Sequence, residues 1–203
     1  MRIFGIDPGS DRTGYGCVET DGSRHRIVTC GAISAAAVST FPGKLLRIHS
    51  RLAELIRDCR PDCVAIENLF HAVNVRSALK LGHARGVAML AAVEAGVPVV
   101  EYTPAEIKRA VVGYGRAEKP QVQQMVKLLL GLVSAPAPHD AADALAVAIC
   151  HAHSYRNGGV RPKPDTHVGD PGSRPPRGGR HYRPARSRLR RSADAFSKNI
   201  PTA

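Results

Sequence analysis

The sequence has 203 residues, 43% of them hydrophobic, and a formal net charge of +12 at pH 7. This length suits one domain plus a modest extension, and no stretch approaches the roughly 18 uninterrupted apolar residues of a membrane-spanning helix. The N-terminus lacks a signal-peptide pattern, and the five cysteines form no close CxxC pair of the zinc-binding type. We therefore expect a cytoplasmic protein with reduced thiols and no membrane partner.

The start of the chain predicts an antiparallel meander. The apolar run at residues 2–7 ends in an acid followed by a Pro-Gly turn, which is typical of a buried strand. A second strand near residues 13–19 should pair with it as a hairpin. The Asp21-Gly22 turn signal separates this strand from a third candidate at residues 26–34.

Beyond the meander, helices and strands alternate. Apolar residues recur at helical spacing from Phe41 to Ile56, which predicts an amphipathic helix over residues 42–58. The later patterns predict strands at residues 63–67 and 97–102, and helices at residues 74–95, from 104 onward, at about 118–130 and at 140–153. Together these elements predict an α/β fold, with a mixed sheet and helices on its faces.

The composition changes at residue 157. Residues 157–203 hold 11 Lys and Arg against 3 Asp and Glu, whereas residues 1–156 hold 18 against 14. Pro, Gly, Arg and Ser dominate the C-terminal segment without any periodicity, which predicts a folded domain over 1–156 and a basic disordered tail over 157–203. Such a tail favours nucleic acid, but a solubilising extension with no specific role explains it equally well.

Four acids stand out by position. Asp7 and Glu67 each end an apolar strand, where α/β proteins tend to place ligand sites. Asp140 and Asp143 are three residues apart at a helix start, on one face. Grouped acids would repel one another unless a cation were present. Their oxygen atoms suit Mg²⁺ or Mn²⁺. A pair of such ions can support phosphodiester hydrolysis. Taken singly, each acid is better explained as a turn former or a helix cap.

Five sequence blocks stand in order along residues 1–155: GIDPGSDRTGYG, AIENLF, SALKLGHARGVA, VVGYGRAEKPQV and HDAADALAVAICH. In this order they resemble the RuvC family of crossover junction endodeoxyribonucleases. The resemblance implies a ribonuclease H-like mixed β-sheet with helices on both faces. It also implies a homodimer that resolves four-way (Holliday) DNA junctions by paired symmetric nicks, in homologous recombination and repair, together with the branch-migration proteins RuvA and RuvB.

The same resemblance assigns the metal site. The four metal-binding acids of the family fall on Asp7, Glu67, Asp140 and Asp143, which implies two Mg²⁺ ions per subunit, with Mn²⁺ as a substitute. In part of the family the third position is His rather than Asp, and His139 precedes Asp140 here. We expect His139 to support the metal ligands or to face solvent.

The resemblance places two lysines beside the DNA strand that is cut. Lys108 and Lys119 match basic positions near the scissile phosphate, where an ammonium group can offset the charge of the transition state. Without the family match, a solvated lysine is an equally good explanation. Both are therefore candidate catalytic and DNA-binding residues.

Other DNA contacts follow from the same comparison. Phe70 aligns with an aromatic residue that the family inserts at the branch point, an arrangement that unstacks a base step; from sequence alone an ordinary core phenylalanine is the better interpretation. The helix at residues 74–95 matches the dimerisation region of the family, although a helix buried in the monomer would explain its small residues equally well. Its basic residues Arg76, Lys80 and Arg85 either flank the DNA or form a solvated face.

Two other functions fit parts of the sequence. The segment IDPGSDRTGYG also resembles a phosphate-holding hairpin of sugar kinases and actin-like ATPases, but the chain has no room for the second large domain that those proteins need. A non-catalytic junction-binding protein would explain the basic tail. However, acids at a DNA-facing site weaken binding unless metal ions are present.

Overall fold

The computed structural model describes residues 1–68 and 74–156. The strands are β1 (Arg2–Asp7), β2 (Arg12–Thr20), β3 (His25–Ser34), β4 (Cys63–Glu67) and β5 (Val99–Tyr102). The helices are α1 (Phe41–Cys59), α2 (Val75–Glu94), α3 (Pro104–Val112), α4 (Lys119–Leu129) and α5 (His139–Arg156). Each predicted element is present, and the predicted ends differ from these by three residues at most. The α/β prediction is confirmed.

The five strands form one mixed sheet in the order β3-β2-β1-β4-β5. The first three are antiparallel, as the meander prediction requires, and β4 and β5 then run parallel to β1. Ile6 pairs with Ile66 across β1 and β4, so the next residue in each strand is an acid at the same sheet edge. The topology therefore brings Asp7 and Glu67 together.

Helices cover both faces of the sheet. Ile3 and Cys63 face a core shared with α3, α4 and α5, whereas Phe4 and Val64 face a core shared with α1 and α2. Because successive side chains of a strand point to opposite faces, the acids that end β1 and β4 lie on the α5 side. That face carries the candidate site.

Glycines allow α5 to lie directly on the sheet. A Cβ atom at Gly5 of β1 would lie 2.1 Å from the carbonyl oxygen of Ala144, and one at Gly16 of β2 would lie 2.7 Å from the side chain of Leu145. The Ala-rich α5 is buried along most of its length, as its composition predicts. The first turn of α5 thereby lies beside the end of β1.

Several smaller predictions can also be compared with the structure. Thr103 caps α3 in a capping box with Glu106, as predicted, and the five cysteines are all free. Within the described residues, no helix is long and apolar enough to cross a membrane. The predictions for Phe70 and for the tail at 157–203 lie outside the described residues.

Candidate active site

Five of the predicted catalytic residues line one cleft of about 310 Å³ at the end of the sheet. The acids come from three elements, because Asp7 ends β1, Glu67 ends β4 and Asp143 lies in the second turn of α5. Lys108 of α3 and Lys119 at the start of α4 complete the charged lining. The floor and walls are apolar, and consist of Pro104, Ile107, Val122 and Ala146.

The two strand-end acids resist ionisation. Burial, followed by the charges of Glu67 and Asp143, raises the pKa of Asp7 to about 8. Burial also raises the pKa of Glu67, although a hydrogen bond from the protonated Asp7 opposes this effect. A positive charge placed in the cleft would favour ionisation of both carboxyl groups.

Lys119 supplies part of that positive charge. Its Nζ atom lies 2.6 Å from Oδ2 of Asp143, and this hydrogen bond is the main cause of the raised pKa of Lys119. The ammonium charge also lowers the pKa values of Asp7 and Glu67. The side chain is 60% exposed, so it can reach a phosphate group that enters the cleft from solvent.

Asp140 is directed differently from the other three acids. It lies one turn before Asp143 on α5, but its Oδ2 atom is 3.5 Å from the guanidinium group of Arg12, and it is not part of the cleft lining. With the side chains so placed, the described residues contain no group of three or more His, Cys, Asp or Glu positioned to hold one metal ion. Arg12 was not singled out from the sequence.

The remaining predicted residues are spread over neighbouring surfaces. His139 is exposed, with its Nδ1 atom 3.1 Å from Nε2 of Gln123. Arg76 and Lys80 are exposed on α2, whereas the guanidinium group of Arg85 forms an ion pair with Glu101 of β5. Arg85 is therefore engaged within the chain.

Comparison with known proteins identifies the family. The family model described as "Crossover junction endodeoxyribonuclease RuvC" matches residues 3–151. The chain belongs to the RuvC family. Relatives of that name include one from Ruminiclostridium cellulolyticum, 51% identical over 79% of this chain and 96% of its own length. Another, from Syntrophotalea carbinolica, is 57% identical over 76% of this chain and 96% of its own length.

Solved structures agree with the family assignment. Thermus thermophilus RuvC is 38% identical and covers 80% of this chain and 100% of its own, with a TM-score of 0.74. A structure of T. thermophilus RuvC in complex with a Holliday junction substrate matches with the same TM-score and coverage, at 36% identity. The predicted ribonuclease H-like fold is thereby confirmed. The match to the RuvC family model ends at residue 151, so the basic C-terminal segment at residues 157–203 lies beyond it.

Proposed function

We propose that this RuvC-family protein resolves four-way DNA junctions by metal-dependent hydrolysis of two opposed phosphodiester bonds. The observation that carries the proposal is the meeting of Asp7, Glu67 and Asp143 in one open cleft with two lysines. The acids come from distant parts of the sequence, and their burial opposes their ionisation. A cation bound among these acids would offset the cost of ionising them.

The donor set fits hard divalent cations, since carboxylate oxygens are the ligands that Mg²⁺ and Mn²⁺ prefer. We assign Asp7, Glu67, Asp140 and Asp143 as ligands of two Mg²⁺ ions per subunit, with Mn²⁺ as a substitute. When bound, such ions activate a water molecule and stabilise the attacking and leaving oxygens of the displacement. Asp140 would join this set by exchanging its contact with Arg12 for a metal ion.

The lysines act on the DNA phosphate. Lys119 already lies among the acids, and Lys108 is close enough to Glu67 to lower its pKa. In the substrate complex we assign both ammonium groups to the scissile phosphate, where they offset the negative charge that grows in the transition state. Phe70, Arg76 and Lys80 are assigned to junction binding on the family resemblance, whereas the ion pair of Arg85 argues against a direct role for that residue.

A homodimer follows from the surface of α2. Four exposed apolar residues and two glycines follow one another along one side of this helix at steps of three or four residues. The set is Val75, Leu79, Gly82, Gly86, Leu90 and Val93. An exposed apolar stripe of this kind marks a protein contact, and a two-fold dimer is the commonest assembly. Two such subunits would present two clefts to opposed strands. Partnership with RuvA and RuvB and a cytoplasmic location complete the proposal.

The decisive experiment is incubation of the full chain with a labelled four-way junction, with and without Mg²⁺. We expect paired symmetric nicks only when Mg²⁺ is present. The variant Asp7→Asn should bind the junction and leave it uncut, because it removes a charge from the ligand set while preserving the shape of the side chain. Cleavage by this variant at the wild-type rate would reject the assigned site, and junction binding without cleavage by the wild type in Mg²⁺ would favour a non-catalytic role.

A further inference from the structure

Two histidines meet at the far end of α5 from the acids. His25 begins β3 and His153 lies in the last turns of α5, and their Nε2 atoms are 3.1 Å apart. The ring centroids are 5.2 Å apart and the ring planes differ by 50°, so the rings meet through their nitrogen atoms rather than by stacking. Ten residues separate His153 from Asp143, a distance of about 15 Å along a helix.

The hydrogen bond on the other side of the His153 ring fixes its tautomer. Nδ1 of His153 is 2.9 Å from the carbonyl oxygen of Ala110. Because a carbonyl oxygen can only accept, Nδ1 donates, and the neutral ring carries its lone pair on Nε2. This lone pair points towards His25.

The partner of His25 permits either tautomer. Nδ1 of His25 is 2.9 Å from Oγ1 of Thr20, and a hydroxyl group can donate or accept. With the proton on Nε2, His25 donates to His153; with the proton on Nδ1, His25 donates to Thr20 and its own Nε2 lone pair becomes available. Moving the proton of His25 from Nε2 to Nδ1 therefore leaves both Nε2 atoms with a free lone pair, and the net charge of the pair does not change.

We propose that His25 and His153 form a binding site for one borderline transition-metal ion, such as Zn²⁺, Ni²⁺ or Cu²⁺, separate from the acidic cleft. Imidazole nitrogens bind Zn²⁺ at about 2.0–2.1 Å, so two Nε2 atoms at the observed separation subtend an angle of roughly 100° at the ion. This angle lies between square-planar and tetrahedral geometry. Water completes the coordination, since no third His, Cys, Asp or Glu of the described chain joins the pair.

The surroundings resemble those of metal-bound histidines in general. Such rings almost always donate their second N–H to a carbonyl oxygen or another fixed acceptor, which orients the ring; Ala110 and Thr20 supply these acceptors here. Burial and the neighbouring His153 lower the pKa of His25, so a proton does not compete strongly for its lone pair at neutral pH. Both rings are only half-buried, so solvent reaches them.

The histidine pair and the acidic cleft should prefer different metal ions. Nitrogen ligands select Cu²⁺, Ni²⁺ and Zn²⁺, whereas Mg²⁺ prefers oxygen. The affinity should follow the Irving–Williams order, with Cu²⁺ bound most tightly, and an excess of Mg²⁺ should not displace these ions from the histidine pair. The inference is thus independent of the proposed nuclease activity and survives if that activity fails.

The test is equilibrium dialysis of the metal-stripped full chain against Ni²⁺ in excess Mg²⁺. The variants His25→Gln and His153→Gln should each bind one Ni²⁺ ion fewer than the wild type and lose the Ni²⁺-dependent rise in Tm. His83→Gln, which removes a single exposed histidine on α2, is the matched control and should behave like the wild type. Equal Ni²⁺ binding by all four proteins would overturn the proposal.

A measurement on the wild type does not depend on how the variants fold. Bound Cu²⁺ should show pulsed electron paramagnetic resonance couplings to two imidazole nitrogens that belong to one ion. Couplings to a single nitrogen, or to none, would contradict the paired site. The variant Thr20→Val keeps both ligands but removes the hydroxyl that orients His25, so it should retain the stoichiometry and weaken affinity by about 10-fold or more.

Discussion

Gly14 of β2 lies directly beneath the first turn of α5, where a Cβ atom would be 2.0 Å from the carbonyl oxygen of Asp140. Backbone atoms cannot move aside as a flexible side chain can. Helix α5 can therefore lie this close to the sheet only while residue 14 has no side chain. The position of the helix that carries Asp140 and Asp143 thus depends on a glycine in another element.

Gly14→Ala should therefore displace the start of α5. We expect a loss of about 1–3 kcal/mol of stability from overpacking and a fall of about 100-fold in cleavage, since a shift of about 1 Å at a catalytic group is sufficient. Thermal unfolding and single-turnover cleavage measure the two effects. Gly14→Ser adds a still larger side chain at the same position and should lose at least as much in both measurements; wild-type unfolding and cleavage in both variants would contradict the contact.

Asp7→Asn should change the pH dependence of stability in the absence of metal. In the folded protein the pKa of Asp7 is raised from 3.8 to about 8. The stability that accompanies its protonated form is therefore fully present below about pH 4, and it is lost as pH rises through about 8. Above about pH 8 the metal-free variant should thus be more stable than the wild type, and the difference should shrink towards about pH 4. Unfolding by denaturant in chelator measures this difference, and parallel pH profiles for the two proteins would contradict it.

Lys119→Ala should reduce the cleavage rate more than junction affinity. Removal of one group that stabilises transition-state charge typically costs about 100-fold in rate, whereas one exposed lysine contributes little to the total binding of DNA. Single-turnover rates at saturating protein separate these effects. Lys119→Arg keeps the charge and should recover part of the rate; an equal loss in both variants would show that the charge is not what matters.

Leu79→Glu should dissociate the dimer. Leu79 is 60% exposed in the single chain, so the substitution should leave the fold of the subunit intact while placing a charge in the α2 stripe. Sedimentation analysis should show a monomer with unchanged helix content by circular dichroism. Leu128→Glu, at an equally exposed position on α4, is the control and should remain dimeric.

Removal of residues 157–203 should retain cleavage and weaken the salt dependence of DNA binding. The segment holds 11 Lys and Arg against 3 Asp and Glu, and each phosphate neutralised by a protein cation adds about 0.9 to the slope of log affinity against log salt concentration. Binding titrations at several salt concentrations measure that slope. An unaltered slope would identify the segment as a solubilising extension.

Sequence periodicity was sufficient to predict the strands and helices, and the acids that end β1 and β4 could be paired because both follow apolar runs. The contact of Asp140 with Arg12 could not be predicted, since it depends on a side-chain rotamer rather than on any repeating pattern. The same is true of His25 and His153, which are 128 residues apart. Gly5 and Gly14 were visible in the sequence, but their role depends on which element lies opposite.

The ammonium group of Lys119 also affects the subunit when no metal ion or DNA is bound. Since the chain supplies part of the balancing charge in its own cleft, the three clustered carboxyl groups do not rely entirely on imported ions to remain together. We therefore expect the metal-free subunit to keep its cleft folded. Under the proposed mechanism, a shortage of ions would then stop cleavage without unfolding the protein.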